Sequence, residues 1–486
     1  MMQIVFSYAL YFLAIVFWVY AILQFRLGFY FLKSLKRLSL NENKLKKKEL
    51  PRVTIQLPIY NEINMVSSLL QAVKKIDYPQ ELMQVQILDD STDETSSIIE
   101  AFLKDNDKSV FFHIKRKKRK GYKAGALHEG LMNVTGQYVA IFDADFLPPK
   151  DFFYKTLPYF KEKNVAFVQT RWGHVNEKKS LLTAIQAFAL DMHFTVEQGG
   201  RFFSGDFIQF NGTAGVFKKS VIEEAGGWSS DTVVEDLDLS FRIQMLGYKG
   251  IYARDIICPA ELPSTIEALR IQQTRWIGGG AACFKKLNRK VLLSTNIPIN
   301  KRIFALFHLF HSSMFLFVFS TLILSISSGL FFDKLNGVNL FTASLIFSFS
   351  LFSLVFIYAI SFWVDKKRKL VEFPVFVLSF LLFIALNFGF SFNHFVAIIK
   401  GYRKKIKIFH RTPKNNSESN LTTYKSSEKR NLFSLMEFFI FLALLFSFLI
   451  SLKNKDYKFF FIHVLALIGY GWVVFRSVKK MLNFKT

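Results

Sequence analysis

The chain has 486 residues, 51% of them hydrophobic and 58 of them Phe, yet it holds 63 Lys and Arg against 37 Asp and Glu, a net charge of +26. A soluble protein with that much Phe would aggregate, and a disordered basic chain would lack it. Small secreted, collagenous and wholly soluble classes are therefore excluded.

Apolar and basic residues occupy different stretches. Residues 4–25, 303–332, 335–364, 373–399 and 459–475 contain no Asp, Glu, Lys or Arg, and residues 432–452 contain only Glu437. A helix needs roughly 20 apolar residues to cross a bilayer. A transmembrane helix is expected over 1–30, further membrane helices over 301–399 and a C-terminal hairpin over 432–480. No basic residue precedes the first stretch, whereas seven fall between Lys33 and Lys48. The positive-inside rule then puts the N-terminus outside and the basic linker 31–50 in the cytosol. The expected protein is an integral, multi-pass membrane protein whose globular domain, residues 51–290, is cytosolic, as in a bacterial inner membrane or its equivalent. Cys258 and Cys283, the two cysteines, read as small buried hydrophobes.

From Pro51 the pattern alternates strand and helix. Strands are predicted over 53–57, 85–88, 110–114, 138–142 and 165–170, with strand-like residues at 207–217. Helices are predicted over 61–75, 95–104, 122–132, 180–198, 234–246 and 265–287. This alternation implies a parallel α/β sheet, in which ligands bind at the carboxyl ends of the strands. Residues 115–120 are six consecutive basic residues, a run that usually forms a solvated loop and otherwise attracts phosphates.

Four elements carry potential chemistry. Asp89-Asp90 and Asp143-Ala144-Asp145 each follow an apolar run. Turns also favour Asp, but a D-x-D offers two hard oxygens where Mg²⁺ or Mn²⁺ can bridge a diphosphate. Glu235-Asp236 opens a helix, where acidic residues are favoured by the dipole and where a carboxylate can also serve as a general base. Gln272, Arg275 and Trp276 share one helix face. Arg can neutralise a diphosphate, and Trp offers a plane for a sugar ring, although Trp is also common at membrane interfaces.

This series resembles the processive inverting glycosyltransferases of family 2. The strings Gly121-Tyr-Lys-Ala-Gly-Ala-Leu127, Phe210-Asn-Gly-Thr-Ala-Gly215 and Glu261-Leu-Pro-Ser-Thr265 narrow the resemblance to the cellulose-synthase-like mannan and glucomannan synthases, with bacterial cellulose synthase more distant. Val234 departs from the pattern, since such enzymes usually have Thr before Glu-Asp. The resemblance implies an α/β GT-A-type domain, a nucleotide-diphospho-sugar transferase fold, beside an α-helical transmembrane region. It implies that Tyr60, Glu62, Lys123, Gln272, Arg275 and Asp89, or less so Asp90, bind the nucleotide sugar. Asp143 and Asp145 would hold the diphosphate and its Mg²⁺ or Mn²⁺. Asp236 would be the catalytic base, and Asn211, Gly212, Glu235 and Trp276 would bind the acceptor. Phe409, Thr412 and Lys414, within a basic segment at 400–431, resemble a gating loop in which Arg411 replaces Val.

Such a loop must lie on the same side as the globular domain, yet three apolar stretches separate residues 300 and 400. Residues 371–399, with Pro374, Asn387, Asn393 and His394, are therefore expected to form a re-entrant or interfacial segment. The expected function is transfer of hexose from UDP-glucose or GDP-mannose to a growing β-linked polysaccharide, with coupled translocation; a single transfer to a lipid is the alternative. The expected partners are a nucleotide-sugar donor, a glycan or lipid acceptor and the bilayer. Nucleic acid is not expected, since only the basic run suggests it.

Overall fold

A computed structural model describes residues 2–35, 50–331, 340–366, 368–403, 411–412 and 428–483. Helix α1 (Met2–Leu35) runs five residues beyond the transmembrane helix expected over 1–30. The globular part follows in the order β1 (Val53–Ile59), α2 (Val66–Lys74), β2 (Met83–Asp89), α3 (Thr95–Lys104), β3 (Phe111–Lys115), α4 (Tyr122–Leu131) and β4 (Tyr138–Ile141). It continues through α5 (Phe152–Thr156), β5 (Val165–His174), α6 (Leu181–Met192), α7 (Gln198–Ser204), β6 (Gly215–Lys218), α8 (Lys219–Glu224), α9 (Glu235–Met245), β7 (Lys249–Ala260) and α10 (Ile266–Leu292).

The sheet order is β3-β2-β1-β4-β6-β5-β7. β1 pairs in parallel with β2 and β4, and β2 with β3, but β6 runs antiparallel to both β4 and β5. The sheet is therefore mixed rather than parallel throughout. Of the strand-like stretch 207–217 only residues 215–217 are in a strand, as the start of β6 (Gly215–Lys218). Positive φ at Gly212 and Ala214 bends the preceding residues into a loop. β7 escapes the sequence pattern because Gly250, Arg254, Asp255 and Pro259 interrupt its apolar run. One face of the sheet buries Phe142, Phe152 and Phe153, and the other buries Phe167, Phe210 and Phe217.

Beyond α10 come α11 (Ile299–Phe310), α12 (Met314–Phe331), α13 (Leu340–Ala359), α14 (Phe373–Tyr402), α15 (Glu428–Lys453) and α16 (Phe460–Asn483). Among the described residues six helical segments are long and apolar enough to cross a membrane, which marks a multi-pass membrane protein. α14 is one unbroken helix with Pro374 in its first turn, where a missing N–H costs nothing. It touches the globular part along its length. Just before it, Lys366 pairs with Asp191 of α6 at 2.9 Å. Leu386 and Phe390 cover Leu182, Ile185, Ile266 and Leu269. At its far end the Lys285 Nζ donates to the Tyr402 carbonyl at 2.6 Å. A Cβ at Gly401 would lie 2.2 Å from the carbonyl oxygen of Gly278, and one on Gly469 of α16 would lie 1.8 Å from that of Ala385. α14 is thus seated backbone to backbone on α10 and α16.

Candidate active site

The mixed sheet explains how distant segments meet. β1, β2 and β4 are parallel and in register (Ile59 beside Asp89, Gln56 beside Ile141), so the residues after them emerge at one edge. β6 starts at that edge, Gly215 opposite Ile141, so the loop before it arrives there too. Tyr60 and Glu62 follow β1, Asp90 follows β2, Asp143 and Asp145 follow β4, and Asn211 and Gly212 precede β6. With Lys123, Glu235, Asp236, Gln272, Arg275, Trp276 and Thr412 they line a single crevice.

Lys123, in the first turn of α4, is its electrostatic centre. Its Nζ donates to the Gly212 carbonyl at 2.8 Å and lies 2.6 Å from Asp143 Oδ1 and 3.9 Å from Glu235 Oε1. Burial acts to lower its pKa, but Asp143, Glu235 and Asp236 outweigh burial and hold it above the ordinary value. Glu235 and Asp236 form the first turn of α9. Val234 gives that helix no side-chain cap, while Asp236 Oδ1 accepts from the Leu237 amide at 2.8 Å. Burial pushes both carboxyls up against the pull of Lys123, Glu235 to about 7. Gly212 has φ +82°, and a Cβ there would lie 2.8 Å from Asp236 Oδ2. Glycine lets the loop pass directly beneath this carboxylate.

Burial lowers the pKa of the Arg275 guanidinium, against the raising influence of Asp143, Glu235, Asp236 and Asp145. Trp276 stands 6.3 Å, centroid to centroid, from Trp172, giving the crevice an aromatic wall. Asp143 and Asp145 suit a divalent cation. Among the described residues no group of three or more His, Cys, Asp or Glu gathers as a metal cage. A cation at Asp143 and Asp145 would complete its shell from diphosphate oxygens, as Mg²⁺ and Mn²⁺ commonly do.

Asp89 is not among the residues lining the crevice. It is 2% exposed and accepts from the Ser91 amide at 2.9 Å and from Ser96 Oγ at 2.6 Å, with His113 Nε2 at 2.9 Å. These partners hold its carboxyl well below the usual range, even against burial. Asp90 reaches the crevice instead, so the order of preference drawn from the sequence is reversed. Asp90 is clamped by Arg116 through Nε at 2.7 Å and through Nη2. Arg119 lies 3.8 Å from the same carboxylate and 3.3 Å above the Tyr60 ring. Two members of the basic run thus point inward, unlike the solvated loop expected of it. Arg411 binds Glu62 through two hydrogen bonds, of 2.7 and 2.6 Å, and brings Thr412 into the crevice. Phe409 and Lys414 lie outside the described residues. Trp172, His174 and Glu261 also line the site without having been singled out for it.

The model of glycosyl transferase family group 2 matches residues 138–391. A probable glucomannan 4-beta-mannosyltransferase 3 of Oryza sativa subsp. japonica is 41% identical over 268 residues, covering 54% of this chain and 48% of the relative. A probable glucomannan 4-beta-mannosyltransferase 11 of Arabidopsis thaliana is 36% identical over 332 residues, covering 65% and 74%. The chain spans about half the length of most of the curated relatives it matches. In fold it is similar to a mannosyltransferase of Pyrobaculum calidifontis, solved in complex with GDP-Man and Mn²⁺, with a TM-score of 0.51 and 20% identity, covering 74% of this chain and 99% of that one.

Proposed function

The chain belongs to glycosyl transferase family group 2, and on that premise we propose that it is a membrane-embedded inverting hexosyltransferase, moving hexose from a nucleotide sugar to a growing β-linked glycan. One observation carries this reading: the Glu235–Asp236 carboxylates and the Asp143-x-Asp145 pair share a crevice with Lys123 between them and Arg275 nearby. Inversion needs a base on the acceptor side and positive charge on the leaving-group side, with no covalent nucleophile.

Asp236 takes the proton from the attacking acceptor hydroxyl, its basicity raised by burial. Lys123 and Arg275 neutralise the departing diphosphate. A divalent cation at Asp143 and Asp145 would add Lewis-acid stabilisation of that charge. Trp276 stacks the acceptor sugar. Tyr60 and Asp90, braced by Arg119 and Arg116, form the nucleotide end. The relatives named as mannosyltransferases favour mannose over glucose as the hexose transferred.

We also assign α14 to the membrane interface rather than to a full crossing. The Arg411–Glu62 pair supports this, because residue 411 then shares a side with the crevice and an even number of crossings separates it from residue 300. α12 and α13 supply two, while both ends of α14 return to the globular part. On the positive-inside assignment that side is the cytosol.

The test is a donor screen on the purified chain in lipid, with Mg²⁺ or Mn²⁺ and each nucleotide sugar in turn. An alkali-stable polymer is the expected product; an organic-extractable product assigns the single-transfer reading instead. Retained transfer by Asp236→Asn overturns the mechanism.

A further inference from the structure

A chain of buried polar groups lies behind Asn211, and the mechanism does not use it. α6 passes into α7 through one π turn, His193–Glu197, a feature that often accompanies function. The His193 Nε2 lies 3.4 Å from Asn211 Nδ2, and its Nδ1 lies 2.7 Å from Glu197 Oε2. Glu197, 3% exposed, accepts at Oε1 from Gln24 Nε2 of α1 at 2.9 Å. Gln24 Nε2 also donates to Tyr20 Oη at 2.6 Å, which meets His311 Nδ1 at 2.5 Å. On the other side of the amide, Gln198 Nε2 donates to Asn211 Oδ1 at 2.7 Å.

These contacts dictate proton positions. A carboxylate accepts only, so Glu197 keeps the His193 proton on Nδ1 and leaves a lone pair on Nε2. That lone pair takes one N–H of Asn211, while Gln198 occupies the amide oxygen. The second N–H of Asn211 remains for the crevice that the residue lines. Asn211 is thereby fixed as a donor, suited to a sugar oxygen.

We propose that His193 and Glu197, braced by Gln24 of α1, are positioning residues that hold Asn211 as a hydrogen-bond donor to the acceptor glycan. This rests on the transferase reading above. It makes α1 part of acceptor recognition as well as a membrane helix.

The test uses the full chain in lipid nanodiscs, comparing kcat, donor KM and the Kd of GDP and UDP. Glu197→Gln can reverse the His193 tautomer and set two N–H groups against each other, and His193→Ala removes the link. Each is expected to lower kcat about tenfold, the loss of one aligned hydrogen bond, with donor KM and nucleotide Kd unchanged. His193→Gln donates at one end and accepts at the other as the neutral imidazole does, so it restores most of kcat. A His193→Gln chain as slow as His193→Ala, or a Kd that shifts along with kcat, overturns the proposal. Should those variants misfold, Asn211→Asp keeps the size and the oxygen but lacks the donor, and a normal kcat there overturns the proposal as well. An active wild type with unaffected variants defeats the relay alone. A wild type that transfers no hexose from any donor defeats the transferase reading beneath it.

Discussion

β2 and β4 flank β1 and bring two carboxylates each to the same edge of the sheet, but Asp89 and Asp143 meet different surroundings there. Asp89 turns inward onto Ser91, Ser96 and His113, where it ties the end of β2 to α3 and β3. Asp143 keeps about a third of its side chain exposed and faces Lys123 across the crevice. An acidic strand end is thus a local motif with two uses, and the partners supplied by other segments decide between them. Saturating a carboxylate with hydrogen-bond donors builds a joint; leaving it partly open beside an ammonium builds a binding site.

Substitution should separate the two. Asp236→Asn, which removes the proposed base, should lower kcat by about a thousandfold with the fold intact by circular dichroism. Asp143→Asn should follow at about a hundredfold, the scale of one lost electrostatic contact to developing charge, with chelation of divalent cations giving a comparable fall. Asp89→Asn should instead leave kcat within about threefold while costing about 2 kcal/mol of stability, as for a buried charged hydrogen-bonding group, read from thermal or denaturant unfolding. An Asp89→Asn chain that is stable but inactive breaks the comparison. Arg411→Val should have the smallest effect, raising donor KM about threefold by freeing Glu62 from a largely buried ion pair, a change of under about 1 kcal/mol.

pH sharpens the contrast. A general base works unprotonated, so turnover should climb with pH through the raised range of the Glu235–Asp236 pair, Glu235 standing at about 7. Asp89 has the opposite shift. Its depressed folded pKa stabilises the protein above the ordinary Asp value of about 4, and that contribution is lost as pH falls below it toward the folded value. Activity should therefore fail in mild acid, well before the joint at Asp89 loosens.

Much of the strand and helix pattern, and most of the crevice, is legible in the order of residues. The β-branched runs marking β1 to β5 and the helix-face spacing of Gln272, Arg275 and Trp276 are local signals. The pair Asp89-Asp90 shows where local signals stop. Successive strand residues face opposite ways, so only one of the two can reach the crevice, and the choice depends on which face α3 covers. The inward turn of Arg116 and Arg119 has the same origin, since a basic run looks alike whether it meets water or Asp90 and Tyr60. The antiparallel entry of β6 and the Arg411–Glu62 pair depend on segments 74 and 349 residues apart in the chain, beyond any window of periodicity.

The seating of α14 has a practical bearing on how this protein can be handled. Its Leu386 and Phe390 cover Leu182, Ile185, Ile266 and Leu269, and Gly401 lets its backbone lie directly on α10. Cutting the chain after α10 to obtain a soluble transferase fragment would bare that greasy seam to water and remove the helix whose Asn393 accepts from Thr274, the neighbour of Arg275. Biochemistry on this protein belongs in detergent or lipid, with the whole chain intact.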